Sequence, residues 1–107
     1  MSKAACVIRK KDGAVLVRAE DPSRYHRLEG NWYFDPELVD PAMLDFTDRT
    51  YICPRKGTCQ WIDLKTDQGY VTDAAWVYHD PEAGYESIRG RYGFFGDHRY
   101  YRTEECD

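Results

Sequence analysis

The sequence predicts a mainly β fold, a compact single-domain antiparallel sheet or open barrel with one or two short helices. Three observations carry this expectation. The apolar-rich runs are short and bounded by Gly, Pro, Asp or Asn, as strands between turns are. One of them, Gly69 to Tyr78, alternates: Tyr70, Thr72, Ala74, Trp76 and Tyr78 fall on one face, and Val71, Asp73, Ala75 and Val77 on the other. Asp12-Gly13 separates two such runs, a short-range hairpin signal because both residue types tolerate positive φ.

Taken in order, Ala4 to Lys10 and Ala14 to Ala19 make the first hairpin, and Tyr25 to Leu28 and Asn31 to Phe34 make a second around Glu29-Gly30. Four of the five prolines follow an aspartate, at Asp21-Pro22, Asp35-Pro36, Asp40-Pro41 and Asp80-Pro81. Asp at the N-cap with Pro at the first helical position starts a helix. Asp35 and Asp40 therefore open short turns through Leu44, and Asp80 opens a helix through about Arg89 that Gly90 ends. Strands follow at Thr58 to Leu64, Gly69 to Tyr78 and Tyr92 to Phe95, for six to eight in all. With 107 residues the chain forms one domain over 1–107, its core at about 4–98 and a tail at about 99–107 expected to fray after Tyr101. A domain of this size buries roughly 65% of its unfolded surface, so no disulfide or metal staple is required.

Composition narrows the function. Aromatics make up 15% of the chain, nine Tyr, four Phe and three Trp, so the interior is rich in rings whose polar tips need partners. A net charge of −4 argues against duplex nucleic acid, although Arg89, Arg91, Arg99 and Arg102 would allow a small basic patch. The N-terminal MSKAACVIRKKDG has no apolar run long enough for a signal peptide or a membrane span. The expectation is a cytoplasmic protein, monomer or homodimer, whose four cysteines are free thiols. Cys6 and Cys106, near opposite chain ends, would bridge only if the fold brought them together.

Two stretches carry the candidate chemistry. In CPRKGTCQW, Pro54 holds Cys53 extended and Gly57 permits a sharp reversal, which places Cys53 near Lys56. A neighbouring ammonium lowers a thiol pKa, and thiolate is the nucleophilic form. The same residues also fit a plain turn with a small buried thiol and a solvated lysine. Zinc is the weaker reading: five residues separate Cys53 from Cys59, no second Cys pair exists, and His26 or His79 would have to complete the set. In AAWVYHDPE, Trp76 and Tyr78 share a strand face, either as a platform for a flat ligand or as core filling. His79 points the other way as a surface histidine. The carboxylate pairs Asp35/Glu37 and Asp80/Glu82 read as helix caps with first-turn acids. No catalytic triad order, phosphate-cradling glycine loop or His-Glu-x-x-His helix is present, and no cofactor is implied.

Gly30-Asn31-Trp32-Tyr33-Phe34, then Thr50, then Cys53-Pro54-x-Lys56-Gly57-Thr58 with Trp61, resembles the small bacterial family called domain of unknown function 427. The match continues through Ala75-Trp76-x-Tyr78, Pro81, Ile88, Gly90 and Phe94-Phe95, and looks like a cyanobacterial branch. The resemblance implies a β-rich fold of β-tent type, in which Cys53, Lys56, Gly57, Trp61, Trp76 and Tyr78 border a pocket. It implies no settled activity. The nucleotidyltransferase-like label the family sometimes carries would need a Gly-Ser turn and a metal-holding Asp-x-Asp or Asp-x-Glu strand, which this chain lacks. Cys59 departs from the small alanine more usual there.

Three readings remain open. The chain binds a small, flat, anionic metabolite at an aromatic and lysine-lined pocket, with Arg89 or Arg91 adding charge. Alternatively it is an interaction or oligomerisation module without chemistry, using Trp32, Tyr33, Tyr100 and Tyr101 as its surface. The third is an enzyme using Cys53 as nucleophile or redox thiol.

Overall fold

The computed structural model describes residues 4–107, so the first three residues of the stretch read for a leader lie outside it. Among the described residues nine strands form two antiparallel sheets. The small sheet has the order β2-β1-β9, from Val15–Ala19, Ala4–Arg9 and Tyr101–Cys106. The large sheet has the order β3-β4-β8-β7-β6-β5, from Tyr25–Leu28, Asn31–Phe34, Tyr92–Phe95, Gly69–Val77, Gly57–Thr66 and Leu44–Cys53. Among the described residues no helix is long and apolar enough to cross a membrane.

Local sequence explains most of this. Glu29 and Gly30 both have positive φ, 55° and 83°, and Leu28 pairs directly with Asn31, so the second hairpin closes on a two-residue turn. The first hairpin turns differently from expectation: Gly13 is at φ 76° while Asp12 is not in the left-handed region. The Arg9 N–H donates to the Ala14 carbonyl and the Gly13 N–H to the Arg9 carbonyl, a longer loop with one left-handed residue. Asp21, Asp35 and Asp40 each precede a single 3-10 turn, at Pro22–Arg24, Pro36–Leu38 and Pro41–Met43. Asp21 and Asp40 accept backbone N–H bonds from Ser23 and Ala42. The Asp35 carboxylate instead binds Arg24 and Arg91, at 2.6 and 3.0 Å.

Two expectations fail at the other end of the chain. No helix runs from Asp80 to Arg89: Gly84 sits at φ 96°, and only Glu86–Ile88 forms a 3-10 turn. Asp80 pairs with Arg89 at 3.0 Å rather than capping a helix. The tail does not fray. Residues Tyr101–Cys106 form β9, paired with β1 from Ala4↔Cys106 to Arg9↔Tyr101. That pairing places Cys6 diagonal to Cys106, and they form a disulfide with Cα atoms 6.0 Å apart. The four expected free thiols are therefore two, Cys53 and Cys59. Register explains the correction, since chain ends far apart in sequence become neighbouring strands.

The main core lies between the sheets. Val7 and Val17 from the small sheet meet Trp32, Phe34, Phe94, Ala75, Val77, Ile62 and Leu64 from the large one. Tyr101, fully buried, fastens the layers: its hydroxyl donates to the Ala74 carbonyl at 2.5 Å and accepts from the Phe95 N–H at 2.9 Å. Burial pushes its pKa well above the ordinary tyrosine value, so the hydroxyl stays protonated. Tyr101→Phe leaves both backbone groups unpaired and should cost about 1–3 kcal/mol, measured as a lower urea midpoint with unchanged slope.

Candidate functional site

The face of the large sheet turned away from the small one carries a second buried cluster: Tyr33, Cys59, Trp76, Tyr78 and Ile88. Strand alternation divides the residues between the two faces. On β4, Trp32 and Phe34 enter the main core, while Asn31 and Tyr33 face outward. On β6, Ile62 and Leu64 face the core, while Cys59 and Trp61 face outward. The outward set surrounds a cavity of 290 Å³, closed by Tyr51 and Cys53 of β5, Arg55 and Lys56 of the β5–β6 turn, Tyr78 and Phe95.

Gly93 makes this packing possible. It lies opposite Tyr33 on one side and Trp76 on the other. A Cβ built there would sit 2.5 Å from Trp76 Nε1. Without one, the Trp76 indole crosses the strand and donates to the Tyr33 hydroxyl at 3.2 Å. Trp76 also meets Tyr33 and Trp61 edge-on, each at 5.9 Å, and leans on Phe95 at 4.7 Å.

The cationic rim is held by Glu29. Lys56 is 8% exposed and donates to Glu29 Oε1 at 2.5 Å, while Arg55 pairs with Oε2 at 2.9 Å. Glu29 is one of two non-glycine residues with positive φ among those described, at a position where type I′ turns favour Asn, Asp or Gly. The strained backbone thus delivers a carboxylate to both cations. The Lys56 hydrogen bond, then the charges of Lys56 and Arg55, hold the Glu29 carboxyl below its ordinary value. Burial would pull the Lys56 ammonium down, but the Glu29 hydrogen bond and the neighbouring Tyr33 and Cys53 outweigh it, and its pKa rises. Backbone N–H groups of Lys56 and then Arg55, turned toward the sulfur, lower the Cys53 thiol, with both side-chain charges adding. Burial raises Cys59 and Tyr78.

Of the residues singled out from the sequence, Cys53, Lys56, Trp61, Trp76 and Tyr78 line this one cavity. Gly57 does not; at φ 104° it reverses the chain, and the Glu82 N–H donates to the neighbouring Lys56 carbonyl at 2.8 Å. Arg89 and Arg91 stand elsewhere, paired with Asp80 and Asp35, and the second cation is Arg55. Asn31, Tyr33, Tyr51, Cys59 and Phe95 were not anticipated as lining residues. Alternation alone places Tyr33 with Asn31 but does not say which face holds a cavity. Trp32, Tyr33 and Tyr101 are buried and offer no contact surface, while Tyr100 is half-buried; among the described residues the exposed large apolar ones are Val15, Phe46, Tyr51, Ile52 and Tyr70. His79 meets Gln60 at 2.8 Å, and no group of three or more His, Cys, Asp or Glu among the described residues is placed to hold a metal ion.

These features define a small two-sheet β domain with an aromatic, cation-rimmed cavity on its outer face. The chain belongs to the family described as domain of unknown function (DUF427), whose model matches residues 4–106. None of the curated proteins compared with the chain matches it. The family's short label refers to nucleotide transfer, yet both Asp-x-Glu runs of this chain are committed elsewhere, Asp35 to Arg24 and Arg91 and Asp80 to Arg89.

Two outcomes follow for this site. Gly93→Ala should displace Trp76 and cost about 1–3 kcal/mol, with tryptophan fluorescence reporting the lost Tyr33 contact. The Glu29–Lys56 pair should give stability a plateau at neutral pH. The depressed Glu29 contributes stability above its unfolded value, near 4.5, and loses it as pH falls through the lower folded value. The raised Lys56 contributes fully below its unfolded value, near 10.5, and loses it as pH rises through the higher folded value. In Glu29→Gln, urea midpoints measured against pH should show a lower plateau at neutral pH and a shallower loss on both the acid and the alkaline limb, because neither group then keeps the shift that the pair creates.

Proposed function

We propose that the outer cavity binds a small, flat, anionic metabolite. The observation carrying this reading is a charge imbalance beside aromatic walls. Arg55 and Lys56 share one carboxylate, Glu29, and none of the lining residues is acidic, which leaves a positive charge at the rim for an anion. Trp61, Trp76, Tyr51 and Phe95 supply ring surface for a planar body, and Asn31 supplies an amide at the wall. A volume of 290 Å³ suits a ligand of one or two rings.

Native mass spectrometry of gently purified protein tests the reading. A bound mass of small-molecule size, lost on denaturation, supports it. Trp76 is too deeply packed for a clean test, since truncating it would cost about 3–5 kcal/mol of stability. Arg55→Gln and Trp61→Leu act nearer the surface. Each should weaken binding of flat aromatic carboxylates, followed by tryptophan quenching or calorimetry, and Arg55→Gln should do so by roughly 10- to 100-fold. Equal affinity in wild type and both variants would overturn the proposal.

A further inference from the structure

The two free thiols stand in a relation the same molecule uses elsewhere for a bond. On β1 and β9, Cys6 opposes Glu104, and Cys106 lies two residues beyond that partner. This diagonal carries the disulfide, with Cα atoms 6.0 Å apart. On β5 and β6, Cys53 opposes Gly57, and Cys59 lies two residues beyond that partner. Both strand pairs are antiparallel, and the step is the same in direction and length. Residues two apart share a face, and the Cys6–Cys106 bridge shows that this diagonal closes to the Cα separation a disulfide spans. Cys53 and Cys59 both line the outer cavity, so neither sulfur is turned into the main core.

The two thiols differ in the way an attacking and a resolving cysteine must. Cys53 is half-buried at the turn, beside Arg55 and Lys56, where its thiol is held below the ordinary range. Cys59 is buried at 2% exposure beside Tyr78, and its thiol is held above that range. The first is accessible and thiolate-prone; the second is shielded and protonated until a bond forms next to it.

We propose that Cys53 and Cys59 form a reversible dithiol–disulfide pair that exchanges with small-molecule disulfides entering the cavity. Cys53 thiolate attacks one sulfur of R–S–S–R, forming Cys53–S–S–R and releasing RS⁻. Cys59 then attacks Cys53 Sγ, the Cys53–Cys59 bond forms, and the second RS leaves with the Cys59 proton as RSH. Two electrons pass from the protein dithiol to the small disulfide, which is reduced to two thiols. The cationic rim of the cavity would select acidic disulfides, but the exchange chemistry stands whether or not the cavity also holds a metabolite.

Glutathione disulfide is a suitable probe. Trypsin cuts after Arg49, Arg55, Lys56 and Lys65, so Cys53 and Cys59 fall in separate peptides, Thr50 to Arg55 and Gly57 to Lys65. After incubation with the probe and acid quenching, non-reducing peptide mapping of the wild type should show these two peptides linked, with loss of the link on adding dithiothreitol. The glutathionyl adduct should be transient in wild type, persist at one per chain in Cys59→Ala, and be lost at this turn in Cys53→Ser. A lasting adduct on wild-type Cys53 without the link would overturn the resolving role of Cys59. No modification of Cys53 under conditions that modify a free cysteine peptide would overturn the proposal as a whole.

Discussion

The way the two sheets are held against each other starts from one hydroxyl. Tyr101 sits on the last strand of the small sheet, yet its oxygen bonds to backbone groups of β7 and β8 in the large one. Two sheets that pack only through side chains are free to slide, because dispersion contacts are non-directional. Two directional hydrogen bonds in a dry interior remove that freedom. The bond from Thr103 Oγ1 to the Phe95 carbonyl at 2.9 Å adds a third tie on the same strand. With β9 so anchored, β1 acquires its second neighbour, and the Cys6–Cys106 bridge closes the chain ends together.

Anchoring the inner face fixes the outer one. Because Phe94 must face Phe34 and Tyr101 in the core, Gly93 and Phe95 must face outward. Gly93 then opens the space that Trp76 crosses to reach Tyr33. The cavity is thus a consequence of strand register combined with one missing side chain. Its rim has a separate origin in the Glu29-Gly30 turn, where a left-handed glutamate meets two cations from a turn 26 to 27 residues further along the chain. Such strain, held in place by surrounding structure, is common at sites that bind or react.

Two strands escaped sequence reading for opposite reasons. β5, Leu44–Cys53, is an edge strand, largely exposed and interrupted by a register shift between Phe46 and Thr50, so its alternation is broken. β9 carries Arg102, Glu104 and Glu105, and looks like a charged tail; only Tyr101 and Thr103 point inward, and their value comes from partners elsewhere. The Asp80 signal misled for a third reason. Its N-cap chemistry is local, but the chain turns left-handed at Gly84 before a helix can propagate, and Asp80 pairs with Arg89 instead.

By itself the sequence determined the antiparallel β class, the two-residue Glu29-Gly30 turn, three Asp-Pro starts and the reversal at Cys53 to Gly57. These are short-range effects of φ preference, capping and side-chain period, which act over a few residues and need no distant partner. Tertiary structure alone decided which face of each strand became core, which cysteines bonded and which cations met Glu29. A period of two places residues on alternate faces without saying which face is covered, and pairing across the chain depends on register. That is why Trp76 and Tyr78 were legible as a shared face, while Tyr33, Gly93 and Glu29 became meaningful only when their strands came together.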